Sequence, residues 1–222
     1  MERILEPELM DDDAQARAYA EADFEAANSS FVEHFDARFG ASEPSGYILD
    51  LGCGPGDIAL RLARRYPQCL VHGLDGAAAM LRFAEQALVR EPELQGRVEF
   101  FQGLLPGARL PQGNYQAIVS NSLLHHLHRP QILWQAVQAY GRAGTRVMVM
   151  DLLRPASQEQ ARGIVDQYSG DEPAVLKRDF FNSLLAAFTL EEVRDQLAEA
   201  GIEGFDVQRI SDRHMLVSGI LP

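Results

Sequence analysis

Cysteine is nearly absent from this chain: Cys53 and Cys69 are the only two among 222 residues. A lone pair at this spacing matches no zinc pattern, so neither cysteine defines a metal site. Long apolar runs are missing as well. Stretches such as Ala77–Leu81 and Val147–Met150 fall far short of the roughly 20 residues that cross a bilayer, which excludes a membrane-spanning helix. Positive charge is scarce, with 20 Lys and Arg against 32 Asp and Glu and a net charge of −12. That balance repels phosphate backbones and anionic lipid, so no nucleic acid is expected as a partner. The first residues, Met1–Met10, include Glu2, Arg3, Glu6, Pro7 and Glu8. This is the wrong chemistry for a secretory or transit peptide, and a cytoplasmic location is expected.

What is present describes one globular domain. A chain with 46% hydrophobic and 23% charged residues and no low-complexity tract should bury about 70% of its unfolded surface, with no need of disulfides or a structural metal. The acidity is concentrated between Met1 and Pro44, where twelve acids face three bases, Arg3, Arg17 and Arg38. It reads as a solvated helix face, with attraction of a cationic substrate as the other reading.

Residues 1–44 form a helical cap segment. Ala16, Tyr19, Ala20, Phe24 and Ala27, then Phe31, Phe35 and Phe39, recur at three- and four-residue intervals and predict one or two cap helices. After the turn formers of Ala41–Gly46, strands and helices alternate through residues 45–222. Strands are predicted at Tyr47–Leu51, Cys69–Leu74, Val98–Phe101, Ala117–Ser120 and Val147–Met150, with helices near Ile58–Tyr66, Ala77–Val89 and Ile132–Tyr140. Short apolar strands alternating with helices predict a doubly wound, Rossmann-like α/β fold whose ligand sits at the carboxyl ends of a mostly parallel sheet. Thr189 and Glu192 open a further helix as a capping box, and Gly201 ends it. Phe205–Ile210 and Met215–Ile220 predict a closing antiparallel hairpin, for seven strands in all. The polar stretch 152–182 interrupts the alternation and reads as an insertion over the ligand edge. Within and after it, Phe180–Phe188 is apolar enough to predict a helix that either roofs the pocket or packs on the cap helices.

The strongest local signal is Ile48-Leu-Asp-Leu-Gly-Cys-Gly-Pro-Gly-Asp57, a strand running into a glycine-rich turn that opens a helix. Gly52, Gly54 and Gly56 remove β-carbons where a ligand must approach backbone, and the helix amino terminus adds unpaired N–H groups. Asp75, ending the second strand, can accept both hydroxyls of a ribose. An adenosine cofactor follows. The third glycine comes two residues after the second, not three as in a dinucleotide fingerprint, so NAD or FAD is the minority reading.

Leu49-Asp-Leu-Gly-Cys-Gly-Pro-Gly56, Gly73-Leu-Asp75 and Ser120-Asn-Ser-Leu-Leu-His-His-Leu127, in that order, resemble the class I S-adenosylmethionine (SAM)-dependent methyltransferases. The nearest likeness is to the small-molecule branch that includes the quinone-biosynthesis C-methyltransferases. The resemblance covers roughly Tyr47–Asp151. It implies that Gly52, Cys53 and Gly54 approach the methionine part of SAM, that Asp50 holds its ammonium and that Asp75 binds the ribose. Gly76, Ala77 and Met80 flank the adenine, with Gly103 and Leu104 alongside. Ser120 and Asn121 give backbone contacts to the amino acid moiety, and His125 faces the cofactor near the methyl group. Tyr19 is similar in placement to an aromatic residue that closes over the sulfonium. Two departures stand out. The acidic residue usual after the third strand is replaced by Phe101-Gln-Gly103, where Gln102 or a backbone carbonyl would meet the adenine, and the usual Phe-Asp before the fourth strand is Tyr115-Gln116.

The implied reaction moves a methyl group from SAM to a small organic acceptor, leaving S-adenosylhomocysteine (SAH). If the acceptor arrives protonated, His125, His126, Tyr168, Asp151 or Lys177 is the candidate base, and Asp151, at the end of the fifth strand, is expected near the substrate. His126 and His128 read as surface or capping histidines, because consecutive side chains on a helix diverge, and His-His-x-His lacks the one-face spacing of a metal site. No metal is expected. The alternative is a protein that binds SAM, or uses it or a derivative, without methyl transfer.

Overall fold

Seven strands form one sheet in the order β3-β2-β1-β4-β5-β7-β6. The structure is a computed structural model and describes residues 1–7, 9, 11–41 and 44–222. The strands are β1 (Gly46–Leu51), β2 (Cys69–Asp75), β3 (Val98–Gln102), β4 (Ala117–Asn121), β5 (Arg146–Leu152), β6 (Asp206–Arg209) and β7 (His214–Ile220). The first five pair in parallel, while β7 runs antiparallel to both β5 and β6. The fold is therefore the doubly wound sandwich with a terminal antiparallel hairpin that the alternation predicts.

The helices are α1 (Asp13–Glu21), α2 (Glu25–Phe39), α3 (Asp57–Arg65), α4 (Ala78–Val89), α5 (Gln131–Tyr140), α6 (Gln158–Ser169), α7 (Ala174–Ala186) and α8 (Leu190–Glu199). Successive strand residues face opposite layers, so β1 sends Leu49 and Leu51 into one core and Ile48 into the other. The first core takes Trp134 and Val137 from α5 and Val193 and Leu197 from α8. The second takes Ile58 and Leu62 from α3 together with Phe31, Phe35 and Phe39 from α2. Those three phenylalanines, spaced by four, form one buried stripe. Consequently α2 packs into the second core of the sandwich.

The insertion folds as α6 and α7, which pack on one another around Ala161, Ile164, Leu184 and Leu185. The apolar stretch at 180–188 supplies the end of α7, and Phe188 lies beyond it, bridging to Leu153. Among the described residues no helix is long and apolar enough to cross a membrane.

Candidate active site

The chain order reverses between β1 and β4, and a cleft of about 920 Å³ opens at the carboxyl ends of the strands there. One wall is the turn after β1. Gly52 has a φ of +70°, and a β-carbon on it would lie 2.8 Å from Leu123, so glycine is required on both backbone and steric grounds. Gly54 differs: a β-carbon there would meet nothing within 4 Å, because the turn faces the open cleft. Its N–H donates to Asp75 Oδ2 (2.8 Å), and the Ala77 N–H donates to Asp75 Oδ1 (2.8 Å). Asp75 is thereby fixed at the cleft edge with lone pairs left over, since a carboxylate offers about four acceptor positions. Burial raises its pKa, and the backbone N–H bonds oppose that rise.

Asp50, at the foot of the same turn, is 1% exposed and borders the cleft. Its Oδ2 has no hydrogen-bond partner among the described residues. Burial, with the negative charges of Asp75 and Asp57 behind it, pushes its pKa up to about 8. A buried carboxylate with a free acceptor is a seat for a cation.

Cys53, Gly76, Met80, Gly103, Leu104, Asn121 and Tyr19 also line the cleft. Gln102 is exposed and its amide turns back to the Gly76 carbonyl (3.5 Å), while Gly103, Leu104 and Leu105 line the cleft beside it. Ser120 is fully buried with its hydroxyl donated to the Leu51 carbonyl (2.9 Å), beneath the cleft and not on its surface. Burial and the charges of Asp151, Asp75 and Asp57 push the Tyr19 phenol up to about 12, which keeps it protonated and makes it a donor, not a base.

The histidine end departs most from expectation. His125 is 3% exposed and does not reach the cleft surface, whereas His126 does. Asp151 is equally buried; it accepts from the Leu124 N–H (2.7 Å), the Leu152 N–H (2.7 Å) and His125 Nδ1 (2.6 Å). It therefore orients His125, and it lies beneath the cleft and not among the residues that line it. Residues Leu124–His126 form a 3₁₀ turn, and there the two adjacent rings do not diverge: their centroids lie 4.2 Å apart with planes tilted by 36°. Burial and the neighbouring His125 hold the His126 pKa down to about 3. Tyr168 bonds Asp212 and Lys177 bonds the Gly170 carbonyl, and neither lines the cleft.

Sequence reasoning missed the segment that covers this end. Arg3 donates to the carbonyls of Ala186, His125 and Leu127 (2.5, 2.8 and 3.0 Å) and stacks over Phe188. The Ile4 N–H donates to the Leu185 carbonyl (3.0 Å), and Glu6 reaches the two histidines. Asp11 Oδ1 accepts from the Ala79 N–H in the first turn of α4 (3.0 Å), and Asp13 pairs with Arg82. Glu6, Asp11 and Asp13 are thus specific ties, not only part of a solvated face; Glu8 and Glu43 lie outside the described residues. Helix α7 packs on α1 and on the 3₁₀ turn, so the insertion supports the cover and does not line the cleft. Ser122 was also missed: it lines the cleft with a φ of +58°, a strained conformation for serine.

Comparison with known proteins agrees with this geometry. Residues 48–159 match the family described as "Methyltransferase domain". An uncharacterized methyltransferase of Mycobacterium bovis is 31% identical over 125 residues, which is 55% of this chain and 60% of that protein. The chain thus spans less than two thirds of that relative's length. A putative S-adenosyl-L-methionine-dependent methyltransferase from Methanococcus maripaludis superposes with a TM-score of 0.70 at 15% identity, covering 99% of this chain and 98% of that one. Phosphoethanolamine N-methyltransferase 2 of Haemonchus contortus, solved with phosphomonomethylethanolamine and SAH, gives a TM-score of 0.70 at 14% identity over 95% of this chain and 57% of its own.

Proposed function

The chain belongs to the methyltransferase-domain family, and we propose that it transfers a methyl group from SAM to a small organic acceptor held in the cleft. The observation that carries this reading is the buried, unpartnered Asp50 oxygen beside the open face of Gly54 and the fixed carboxylate of Asp75. These offer one seat for a cationic amine and another for a pair of ribose hydroxyls, joined by a backbone free of β-carbons. The donor set fits SAM. When bound, SAM supplies a methyl carbon already activated by its sulfonium. The protein's part is to hold the acceptor in line and exclude water.

On this reading Gly52, Cys53 and Gly54 carry the amino acid portion with Asn121, while Asp50 neutralises its ammonium. Gly76 sits between Leu9 and Leu104, a slot where a β-carbon would come within 2.7–2.8 Å of both side chains, and with Met80 this forms the adenine end. Tyr19 donates a hydrogen bond toward the reacting end. His125, held by Asp151, packs against His126 as a positioning residue, and His126, neutral and at the surface of the cleft, is the imidazole that meets the acceptor. The acidic chain and the absence of an Asn/Asp-Pro-Pro turn after β4 favour a small molecule over nucleic acid. Within the family, the motif likeness favours the quinone-biosynthesis C-methyltransferase branch.

Calorimetric titration with SAM, SAH and NADH side by side tests the cofactor. Micromolar binding of the SAM pair with no NADH binding is expected, followed by SAH formation on an acceptor from a small-molecule panel. NADH binding without SAM binding would overturn the assignment. Tight SAM binding with no SAH on any acceptor would favour the binding-only alternative.

A further inference from the structure

We propose that Glu6, His125 and His126 form a binding site for a divalent first-row transition cation of the zinc type. Glu6 Oε1 lies 3.7 Å from His125 Nε2 and 3.3 Å from His126 Nδ1, and all three atoms fall within 4.8 Å of one another. A tetrahedral ion with bonds of about 2.0–2.1 Å holds its ligand atoms roughly 3.3–3.4 Å apart. Two of the three spacings are therefore close to those of a bound ion.

The hydrogen bonding around the trio leaves these atoms over. Asp151 takes Nδ1 of His125 at 2.6 Å and so turns Nε2 toward Glu6. Ser183 Oγ donates to the other Glu6 oxygen at 3.2 Å, while Glu6 Oε1 and His126 Nδ1 are buried with no hydrogen-bond partner among the described residues. The Glu6 side chain is 9% exposed and that of His125 3%. A carboxylate only accepts, and an imidazole nitrogen without a proton also only accepts, so in the neutral histidines a cation between these atoms replaces a contact between lone pairs. One divalent ion satisfies all three atoms at once. Carboxylate-oriented histidine is the usual support of such a ligand, and two nitrogens with one oxygen suit zinc-like ions better than magnesium or calcium.

Three protein ligands leave a fourth position for a water molecule. The ion would also fasten the residues before α1, which contribute Glu6, to the 3₁₀ turn. Neither the site nor its test depends on the methyltransferase reading.

The test is calorimetry with zinc chloride on the chelator-stripped 222-residue chain, with cobalt(II) absorption as a second readout of the ligand field. We expect one ion per chain at micromolar affinity or tighter and cobalt bands of a four- or five-coordinate site. Glu6→Gln and His126→Ala should each weaken binding at least tenfold, and Asp151→Asn by 10- to 100-fold. His34→Ala, on α2, should bind as the wild type does. Circular dichroism and urea denaturation check that each variant is folded. Failure of the wild type to bind zinc would overturn the proposal, as would zinc binding that survives both Glu6→Gln and His126→Ala. Loss of SAH binding with zinc binding intact would instead strike the proposed function and leave the metal site standing.

Discussion

The two ends of the cleft are built in different ways. The glycine turn and Asp75 come from one β-α-β unit and are held by short-range bonds, Asp75 to Gly54 and to Ala77. The histidine end joins Arg3 and Glu6 to His125–Leu127, Asp151, Ser183 and Ala186, segments more than a hundred residues apart. A local unit folds its site as it folds itself, whereas the other end exists only once the chain has closed on it.

The largest effect should separate the ends by pH. Asp50 is raised to about 8 by burial and nearby acids, so between pH 4 and 8 the folded state binds a proton there that the unfolded state has lost. Stability should fall as pH rises through this window, by at most about 1.4 kcal/mol per pH unit. Asp50→Asn should flatten the fall in urea denaturation series without ligand, and saturating SAH should flatten it in the wild type. If the wild type and the variant have parallel profiles, Asp50 is not the stressed carboxyl.

Asp151→Ala comes next. It leaves His125 and two backbone N–H groups buried without their acceptor, and the urea midpoint should register a loss of about 3–5 kcal/mol. A loss below about 1 kcal/mol would mean that this network is not closed as described. Asp75→Ala is smaller and confined to the other end: SAH affinity should drop by about 1–3 kcal/mol. Unchanged affinity there would dissolve the ribose assignment. Smallest in global terms is Arg3→Ala, at about 1 kcal/mol. Its effect should appear instead as faster hydrogen exchange at Ile4 and at the 3₁₀ turn, with the glycine turn unaffected. Equal acceleration at both ends would erase the contrast between them.

The same contrast explains what could be read in advance. Strand periods, the capping box of Thr189 and Glu192, the glycine turn and Asp75 all lie within windows of a few dozen residues, and the structure has each of them. The histidines misled because a helical reading splays adjacent side chains, while a 3₁₀ turn with Asp151 beneath it gathers them. Glu6 carried no signal, since one acid among twelve in a charged stretch looks like every other. The phenylalanines of α2 were visible as a stripe, but nothing local told whether they faced α1 or the sheet.

Arg3 has a consequence for the chain as it is made. Its carbonyl partners stand at residues 125, 127 and 186, so during synthesis this arginine emerges long before anything it can bond. The first residues, with Ile4, Leu5 and Leu9 still solvent-exposed in the finished fold, wait undocked until α7 leaves the ribosome. The interval between the synthesis of Arg3 and that of α7 is thus the one in which this segment is open to proteases and chaperones.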